Sequence, residues 1–361
     1  MLHPAPLVLG DIVDVKAASN GIAEDHVVEG EFVDVAGERF YAIRNVNRMA
    51  PFFVSMVSDD DHWLFLSSTG GLTAGRVSPQ DALFPYITVD KIHECGRHTG
   101  GRTALRVHAG DTPVNWEPFN GEQLLGPALT RNLYKNKLGN KICLEEINHE
   151  LCLAFRCTWM TSRRYGFVRR CEIENLGARR LRVDVLDGLQ NLLPANTPLF
   201  TQTNVSNLVD AYKWAELDDD STLAILSLYS AITDRAEPSE SLKATTLFCL
   251  GLDEPTILLS SEQVDVFRAG EDPAQENHKR GIRGAYLVCK SLDLGPDATQ
   301  QWMIVANTSQ SQKDVVALRL ELRDPDQLQQ AIAASIDDGS DRLARILAAA
   351  DGFQATAEEN V

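Results

Sequence analysis

Two carboxylates stand side by side at Glu145 and Glu146, and a His-Glu pair follows at His149 and Glu150. Paired carboxylates can cleave a glycosidic bond, because one protonates the leaving oxygen while the other acts as base or nucleophile. Adjacent strand residues point to opposite faces, so Glu145 and Glu146 cannot flank one bond. Glu146 could meet Asp187 across strands, but the sequence alone predicts no catalytic pair.

The histidines and cysteines do not have the spacing of a metal-binding motif. Leu153 occupies the position of the second histidine in the HExxH motif that His149 would begin. His93, His98 and His108 lie close together in sequence but match no metal-ligand spacing. The seven cysteines include no CxxC pair, so we interpret them as buried thiols that pack like small apolar side chains. We therefore predict no metal and no cofactor.

A glycine-bracketed stretch, GGLTAGRV, covers residues 70–77 and comes close to a phosphate-binding loop. Arg76 stands where such a loop needs lysine, and Val77 stands where it needs a hydroxyl group. The pattern therefore predicts a glycine turn between strands. Arg76 remains a candidate for contact with an acidic or carbohydrate partner.

Aromatic rings can stack on sugar faces, so the five tryptophans are candidates for sugar binding. They are Trp63, Trp116, Trp159, Trp214 and Trp302. Trp159 shares a strand face with Phe155, which predicts a core position. Trp116 lies in VNWEPFNGE, among glycine and proline, and is the better candidate for an exposed platform, but a structural position without sugar contact is the favoured interpretation.

Arg163 and Arg164 occupy a turn between two predicted strands. From the rim of a site, their guanidinium groups could bind sugar hydroxyls or phosphate. A solvated turn without a ligand is the alternative. Arg163, Arg164, Trp116 and Arg76 form the set of predicted substrate-binding residues, and no catalytic residue is predicted.

Strands must position these residues, and the sequence predicts many of them. Leu151, Leu153, Phe155, Cys157 and Trp159 alternate with polar residues, which is the pattern of a half-buried strand. A second such run covers residues 167–174, and a third begins at residue 181 after the turn-forming Asn-Leu-Gly-Ala. We interpret the second and third runs as an antiparallel hairpin.

Further strand-like runs, with no alternation of strand and helix, predict a mainly β, antiparallel sandwich. They include residues 7–15, 37–45, 51–59 and 61–68 in the first part of the chain, and five more between residues 221 and 322. One internal helix is predicted at residues 204–217.

Two more helices are predicted between residues 324 and 352, with Asp341 as the N-cap of the second. We place a domain boundary there, with a β-sandwich at residues 1–323 and a helical linker at residues 324–361.

The formal net charge of −17 argues against a nucleic-acid partner, which needs clustered cations to neutralise phosphates. The amino terminus lacks the features of a signal peptide, and no run approaches the ~20 apolar residues of a membrane span. We therefore expect a cytoplasmic protein without membrane contact.

Several stretches, in this order and spacing, carry a family resemblance. They are GGLTAGRVSPQDALFPY at residues 70–86, LYKNKLGNK at 133–141, EEINHEL at 145–151, YGFVRR at 165–170 and LDGLQNLLP at 186–194. They resemble the N-terminal β-supersandwich domain of the cellobiose phosphorylase group, glycoside hydrolase family 94 and its relatives. That fold is in turn similar to galactose mutarotase.

The resemblance implies that a C-terminal α-barrel with the catalytic acid follows, and that this chain is the front part of a larger enzyme. Such an enzyme would be an inverting β-glucoside phosphorylase, or a related hydrolase, with inorganic phosphate as co-substrate. It would act on a disaccharide or oligosaccharide, and the sandwich would serve as scaffold, dimerise and shape the substrate site.

A stand-alone carbohydrate-binding module and a pure assembly module are the alternative functions. A stand-alone mutarotase is disfavoured because the sequence does not place the required histidine and glutamate on facing strands.

Overall fold

The structure is a computed structural model that describes residues 27–110, 112–119, 128–229 and 242–350. Within these ranges the chain forms twenty strands and five α-helices. The predicted fold class, mainly β with antiparallel sheets, is confirmed. The strand predicted at residues 7–15 lies outside the described residues.

The strands in chain order are β1 (Glu29–Val35), β2 (Glu38–Arg44), β3 (Phe53–Met56), β4 (His62–Ser67), β5 (Leu72–Arg76), β6 (Asp81–Ala82), β7 (Gly100–His108), β8 (Val114–Trp116), β9 (Leu129–Asn136), β10 (Ile142–Asn148), β11 (Leu153–Ser162), β12 (Gly166–Asn175), β13 (Leu181–Leu192), β14 (Lys213–Leu217), β15 (Ala224–Leu228), β16 (Lys243–Leu250), β17 (Thr256–Leu258), β18 (His278–Arg280), β19 (Gly284–Leu294) and β20 (Thr299–Ser311). The helices are α1 (Leu199–Asn204), α2 (Ser206–Asp210), α3 (Val264–Arg268), α4 (Gln312–Glu321) and α5 (Pro325–Ala349).

Three sheets share one core. The large sheet has eleven strands in the order β1-β2-β9-β10-β11-β12-β20-β16-β15-β14-β18. A five-stranded sheet has the order β17-β19-β13-β7-β8, and a four-stranded sheet joins β3, β4, β5 and β6. Apolar side chains from all three sheets, such as Phe155, Val185 and Leu64, belong to the same buried cluster. The architecture is therefore a sandwich with an additional small sheet.

β11 shows where the alternation succeeds and where it fails. Phe155, Cys157 and Trp159 face the core, as predicted. The other face is also buried, and Arg156 is only 4% exposed because it forms ion pairs with Glu145 at 2.7 Å and Glu172 at 2.6 Å. The prediction of a half-buried strand is therefore wrong, since polar side chains on the outer face are paired with one another.

The turn after β12 does not form the predicted hairpin. β12 pairs with β11 and β20 in the large sheet, whereas β13 pairs with β7 and β19 in the five-stranded sheet. The Asn175 side chain holds the crossing, because its amide donates to the carbonyls of Arg179 and Gly295 and its oxygen accepts from the Gly177 N–H. The chain therefore crosses from one layer of the sandwich to the other.

The C-terminal helices also differ from expectation. Residues 315–321, predicted as strand, belong to α4, which begins with a capping box formed by Ser311 and Asp314. The predicted two helices between residues 324 and 352 are one continuous helix, α5, so Asp341 is an internal residue and not an N-cap. The change from strand to helix therefore falls at Ser311, while the domain boundary at residue 324 stays a prediction.

The helix predicted at residues 204–217 is also only partly correct. The structure has the end of α1 and the short α2 there, followed by the strand β14. Leu208 and Val209 follow the helical pattern, but Trp214 lies on the strand.

α5 covers part of the outer face of the large sheet. Leu328, Ile332 and Ile336 recur at helical spacing and are buried against residues such as Val168 and Val305. Because both faces of the central strands are buried, these strands hold the side chains of their inner face in fixed positions.

The packing of α5 can be tested with a pair of matched substitutions. Ile332 is fully buried, and Ile332→Ala should lower the free energy of unfolding by about 2–5 kcal/mol, because it leaves a cavity under the helix. Ile346 on the same helix is 53% exposed, and Ile346→Ala should change stability by less than about 0.5 kcal/mol. Urea unfolding measures both, and equal losses would contradict the described helix orientation.

Candidate functional site

A cavity of about 430 Å³ lies between the inner face of the large sheet, β7 and the turn that joins β4 to β5. Its apolar surface comes from Leu144, Cys157 and Trp159 on the large sheet and from Phe119 on the opposite side. The volume is within the range that holds small ligands. Its volume exceeds the volumes of four other cavities formed by the described residues.

A buried ion pair joins the two layers beside this cavity. The Arg169 guanidinium, from β12, donates to both oxygens of Asp187, from β13, at 2.7 and 3.0 Å. Asp187 also accepts from the Thr103 hydroxyl at 2.6 Å and from the Trp302 indole at 2.8 Å. The Asp187 charge is therefore fully hydrogen-bonded without water.

One hydrogen-bond donor of Arg169 has no partner. Its Nε is buried and has no hydrogen-bond partner, and the side chain lines the cavity. Gly101 on β7 lies against it, since a methyl group at this position would be 3.4 Å from Arg169 Nε. The glycine thus packs against a buried N–H that costs free energy when unsatisfied.

Charged groups line the rim of the cavity. Glu117 accepts from Arg102 at 3.0 Å and from Arg268 at 2.5 and 2.9 Å. His93 also lines the cavity, and its Nδ1 lies 2.8 Å from the Ser67 hydroxyl. The rim therefore combines carboxylate, guanidinium, imidazole and hydroxyl groups, which can bind several hydroxyl groups of one ligand.

Trp116 is not an exposed platform, and the favoured interpretation of a structural position is confirmed. The side chain is 1% exposed and belongs to the core. Its indole donates to Glu146 Oε1 at 2.8 Å, and Glu146 Oε2 also accepts from the Phe119 N–H and from Arg131. A buried acceptor far along the chain thus makes burial of the tryptophan favourable.

The structure brings the three predicted arginines together, away from the cavity lining. Arg76 forms ion pairs with Asp61 at 2.7 Å and Asp60 at 3.2 Å, and Arg163 approaches Asp60 at 3.6 Å. Arg164 pairs with Glu321 at the C-terminal end of α4. These arginines are bound to carboxylates of their own chain, and their role in substrate binding stays a prediction.

A glycine turn between strands is confirmed at Gly70 and Gly71, where β4 and β5 pair across it, whereas residues 72–76 of the predicted stretch form β5 itself. The N–H of Gly70 donates to the Ser67 carbonyl, and the Ser67 N–H donates to the Gly71 carbonyl. Gly70 itself lines the cavity.

Glu145 and Glu146 face opposite sides of β10, as predicted. Glu145 is bound by Arg156, Asn132 and Tyr134 on the outer side, whereas Glu146 lies on the inner side with Trp116. Asp187, the possible partner of Glu146, belongs to the separate network around Arg169.

One group of the described residues is compact enough to hold a cation, namely Asp60, Asp61 and His62. Its carboxylates already bind Arg76, and Asp60 also lies near Arg163. Since these cations neutralise the carboxylates, we assign no metal to this group.

The sequence did carry a signal for Arg169 and Asp187. Arg169 stands between Phe167 and Cys171 on the inward face of its strand, and Asp187 stands between Val185 and Leu189. A charge at an inward position of an apolar alternation needs a buried partner. This pattern could have predicted that Arg169 and Asp187 each have a buried charged partner. Nothing in the sequence indicates the role of Gly101.

No family model and no curated protein sequence matches this chain. Among solved structures, a bacterial glucoamylase complexed with acarbose is similar at 10% identity and a TM-score of 0.44, over 88% of this chain and 40% of that one. A protein from Klebsiella pneumoniae subsp. pneumoniae assigned as an aldose 1-epimerase has 10% identity and a TM-score of 0.34, over 82% and 91% of the two chains.

The 4-alpha-glucanotransferase from Thermococcus litoralis has 9% identity and a TM-score of 0.30, over 78% and 39%. Structural neighbours thus include an aldose 1-epimerase and glycoside hydrolase-type enzymes. The chain spans about 40% of the length of the glucoamylase chain. Among the described residues, no helix is both long and apolar enough to cross a membrane.

The Asp60–His62 group generates a prediction about pH. Burial and the nearby Arg76 guanidinium lower the pKa of His62 to about 4 from its usual value of 6.5. Between these values the unfolded chain takes up a proton that the folded chain excludes. Stability contributed by neutral His62 is therefore complete above pH 6.5 and falls toward pH 4, by at most about 3 kcal/mol.

Unfolding free energies measured between pH 4 and 7 should show a smaller slope for His62→Gln than for the original chain. His98→Gln serves as control, because His98 is exposed. An unchanged slope in His62→Gln would contradict the assignment.

Proposed function

We propose that this chain is a non-catalytic carbohydrate-binding sandwich domain of a larger carbohydrate-active enzyme. The observation that carries the proposal is the inter-sheet cavity, which Phe119 lines and whose rim carries carboxylate, guanidinium and imidazole groups. The cavity volume suits a monosaccharide or disaccharide.

The chemistry of the cavity supports a sugar over an apolar ligand. A sugar ring can present C–H groups to the half-buried Phe119 ring, and its hydroxyls can donate to carboxylates and accept from guanidinium groups at the rim.

The carboxylates of this lining do not favour catalysis. Both oxygens of Glu117 are bound by arginines, which stabilises the ionised form and opposes a role as general acid. Glu94 also lines the cavity but is exposed to solvent. A glycosidase needs one carboxyl that keeps its proton at the leaving oxygen.

The larger enzyme, on the sequence resemblance, would be an inverting β-glucoside phosphorylase of the cellobiose type with a C-terminal catalytic barrel. Inorganic phosphate would be its co-substrate, and a homodimer in the cytoplasm would be its working form. In this proposal the sandwich serves as scaffold and shapes the substrate site. A stand-alone binding module would use the same cavity without the barrel, and an assembly module would not use it.

Sugar binding can be tested by narrowing the cavity at Gly101. Gly101→Ala should weaken binding of the tightest ligand in a panel of mono- and disaccharides by about tenfold or more, because its methyl group takes up space in the cavity that Gly101 lines. Titration calorimetry measures the affinity.

Gly110→Ala is the matched control. Gly110 follows the same strand, and a methyl group there would meet nothing within 4 Å. Equal affinity for the two variants, with both folded by circular dichroism, would overturn the cavity as the sugar site. No binding of any sugar to the unaltered chain would favour the assembly module.

The proposed non-catalytic role makes a second prediction. The purified chain should neither release glucose nor consume phosphate with β-linked disaccharides, because the proposed catalytic acid belongs to another domain. A coupled assay for phosphate and glucose tests this, with a complete phosphorylase as positive control. Turnover above the rate of a heat-denatured sample would contradict the non-catalytic assignment.

A further inference from the structure

Three rings form a row on the outer face of the large sheet, at the edge far from the cavity. They belong to Tyr229, which follows β15, to Trp214 on β14 and to His278 on β18. The centroids of Tyr229 and Trp214 are 6.5 Å apart with an interplanar angle of 29°, and those of Trp214 and His278 are 6.4 Å apart with an angle of 23°. We call this row the aromatic strip.

The strand register explains why the rings are in line. Trp214 pairs with Ser227 on one side and with Arg280 on the other, while Glu216 pairs with His278. Tyr229 is therefore displaced from Trp214 by two residues in one direction along the strands, and His278 by two residues in the other. Since all three side chains point to the same face, the rings follow one diagonal across three strands.

The strip is open to solvent and framed by polar groups. Tyr229 is 79% exposed, and His278, Glu216 and Arg280 are exposed as well. Glu216 Oε2 accepts from the Trp214 indole at 3.2 Å, which holds the indole edge in place. Rings that lie within 30° of one another and are bordered by a carboxylate and a guanidinium offer both stacking surface and hydrogen-bond partners.

Arg280 lies over the Trp214 ring, with its guanidinium carbon 4.6 Å from the centroid. A ligand that stacks on this face must displace it. Cation–π contacts at exposed sites are weak, and the arginine can then hydrogen-bond the ligand. Arg280 therefore shields the ring in the free protein without closing the site.

We propose that the aromatic strip binds a neutral oligosaccharide chain, as a second carbohydrate site that is independent of the cavity. The row extends over three rings, so it suits several successive sugar units and not a single one. Glu216 and Arg280 carry opposite charges, which favours a neutral chain over a charged one. Four strand spacings, on the order of 19 Å, separate β14 from β12, which carries Arg169 beside the cavity.

The chemistry favours a glycan over a protein partner. Protein-binding hot spots use the same residue types, Trp, Tyr and Arg, but they lie in well-packed pockets whose surrounding residues exclude water. Here Tyr229 is 79% exposed, and exposed charged side chains border the rings. A glycan chain instead stacks its C–H faces on the rings while its hydroxyls meet the polar neighbours.

Binding can be measured with β-1,4-linked gluco-oligosaccharides of two to six units, by calorimetry and by line broadening of the aromatic NMR signals. Affinity should rise with chain length up to the length of the strip. Trp214→Ala and Tyr229→Ala should each weaken binding of the hexamer by about tenfold or more, in line with the loss of a stacking partner.

Phe200→Ala is the matched control, because Phe200 is a strongly exposed aromatic residue outside the strip. Gly101→Ala should leave hexamer binding to the strip unchanged, which separates this site from the cavity. The proposal is overturned if the Tyr229→Ala and Phe200→Ala variants bind the hexamer equally well. It is also overturned if light scattering shows a dimer that Tyr229→Ala dissociates while no oligosaccharide binds.

Discussion

The buried pair of Arg169 and Asp187 is the interaction on which this sandwich depends. It connects the two larger sheets through their apolar interior, where an isolated charge would be strongly destabilising. Thr103 and Trp302 complete the hydrogen bonding of Asp187, so the desolvation of both charges is largely offset. Loss of either partner would leave an uncompensated charge in the core, at a cost of about 3–5 kcal/mol. The same arginine lines the cavity, so the stability of the fold and the proposed ligand site share one side chain.

Local alternation was sufficient to predict strands, because one face of most strands meets the common core. It could not predict which sheet a strand joins. The turn after Asn175 has the composition of a hairpin turn, but its side-chain hydrogen bonds reach the carbonyls of Leu294 and Gly295, far along the chain. The burial of Arg156 also escaped prediction, since its partners Glu145 and Glu172 come from neighbouring strands.

The candidate site was less predictable than the fold. Trp116 was the candidate for an exposed ring because glycine and proline surround it, yet its burial depends on Glu146, thirty residues away. The three predicted arginines do meet at one edge, where carboxylates of the chain bind them. The cavity instead depends on Gly101, whose only contribution is missing volume beside Arg169. No sequence motif indicates the cavity, because the contribution of Gly101 is the absence of a side chain.

The crossing between β12 and β13 also bears on the order in which the sandwich folds. Arg169 and Asp187 are 18 residues apart, so closing the chain between them loses little loop entropy. In contrast, β12 pairs with β20 through contacts such as Cys171 with Trp302, which are separated by more than a third of the chain. Contacts between near neighbours in sequence form fast, and distant pairings form slowly. We therefore expect the two layers to make contact first at this crossing. β20 would then pair with β12 after Arg169 and Asp187 have already met.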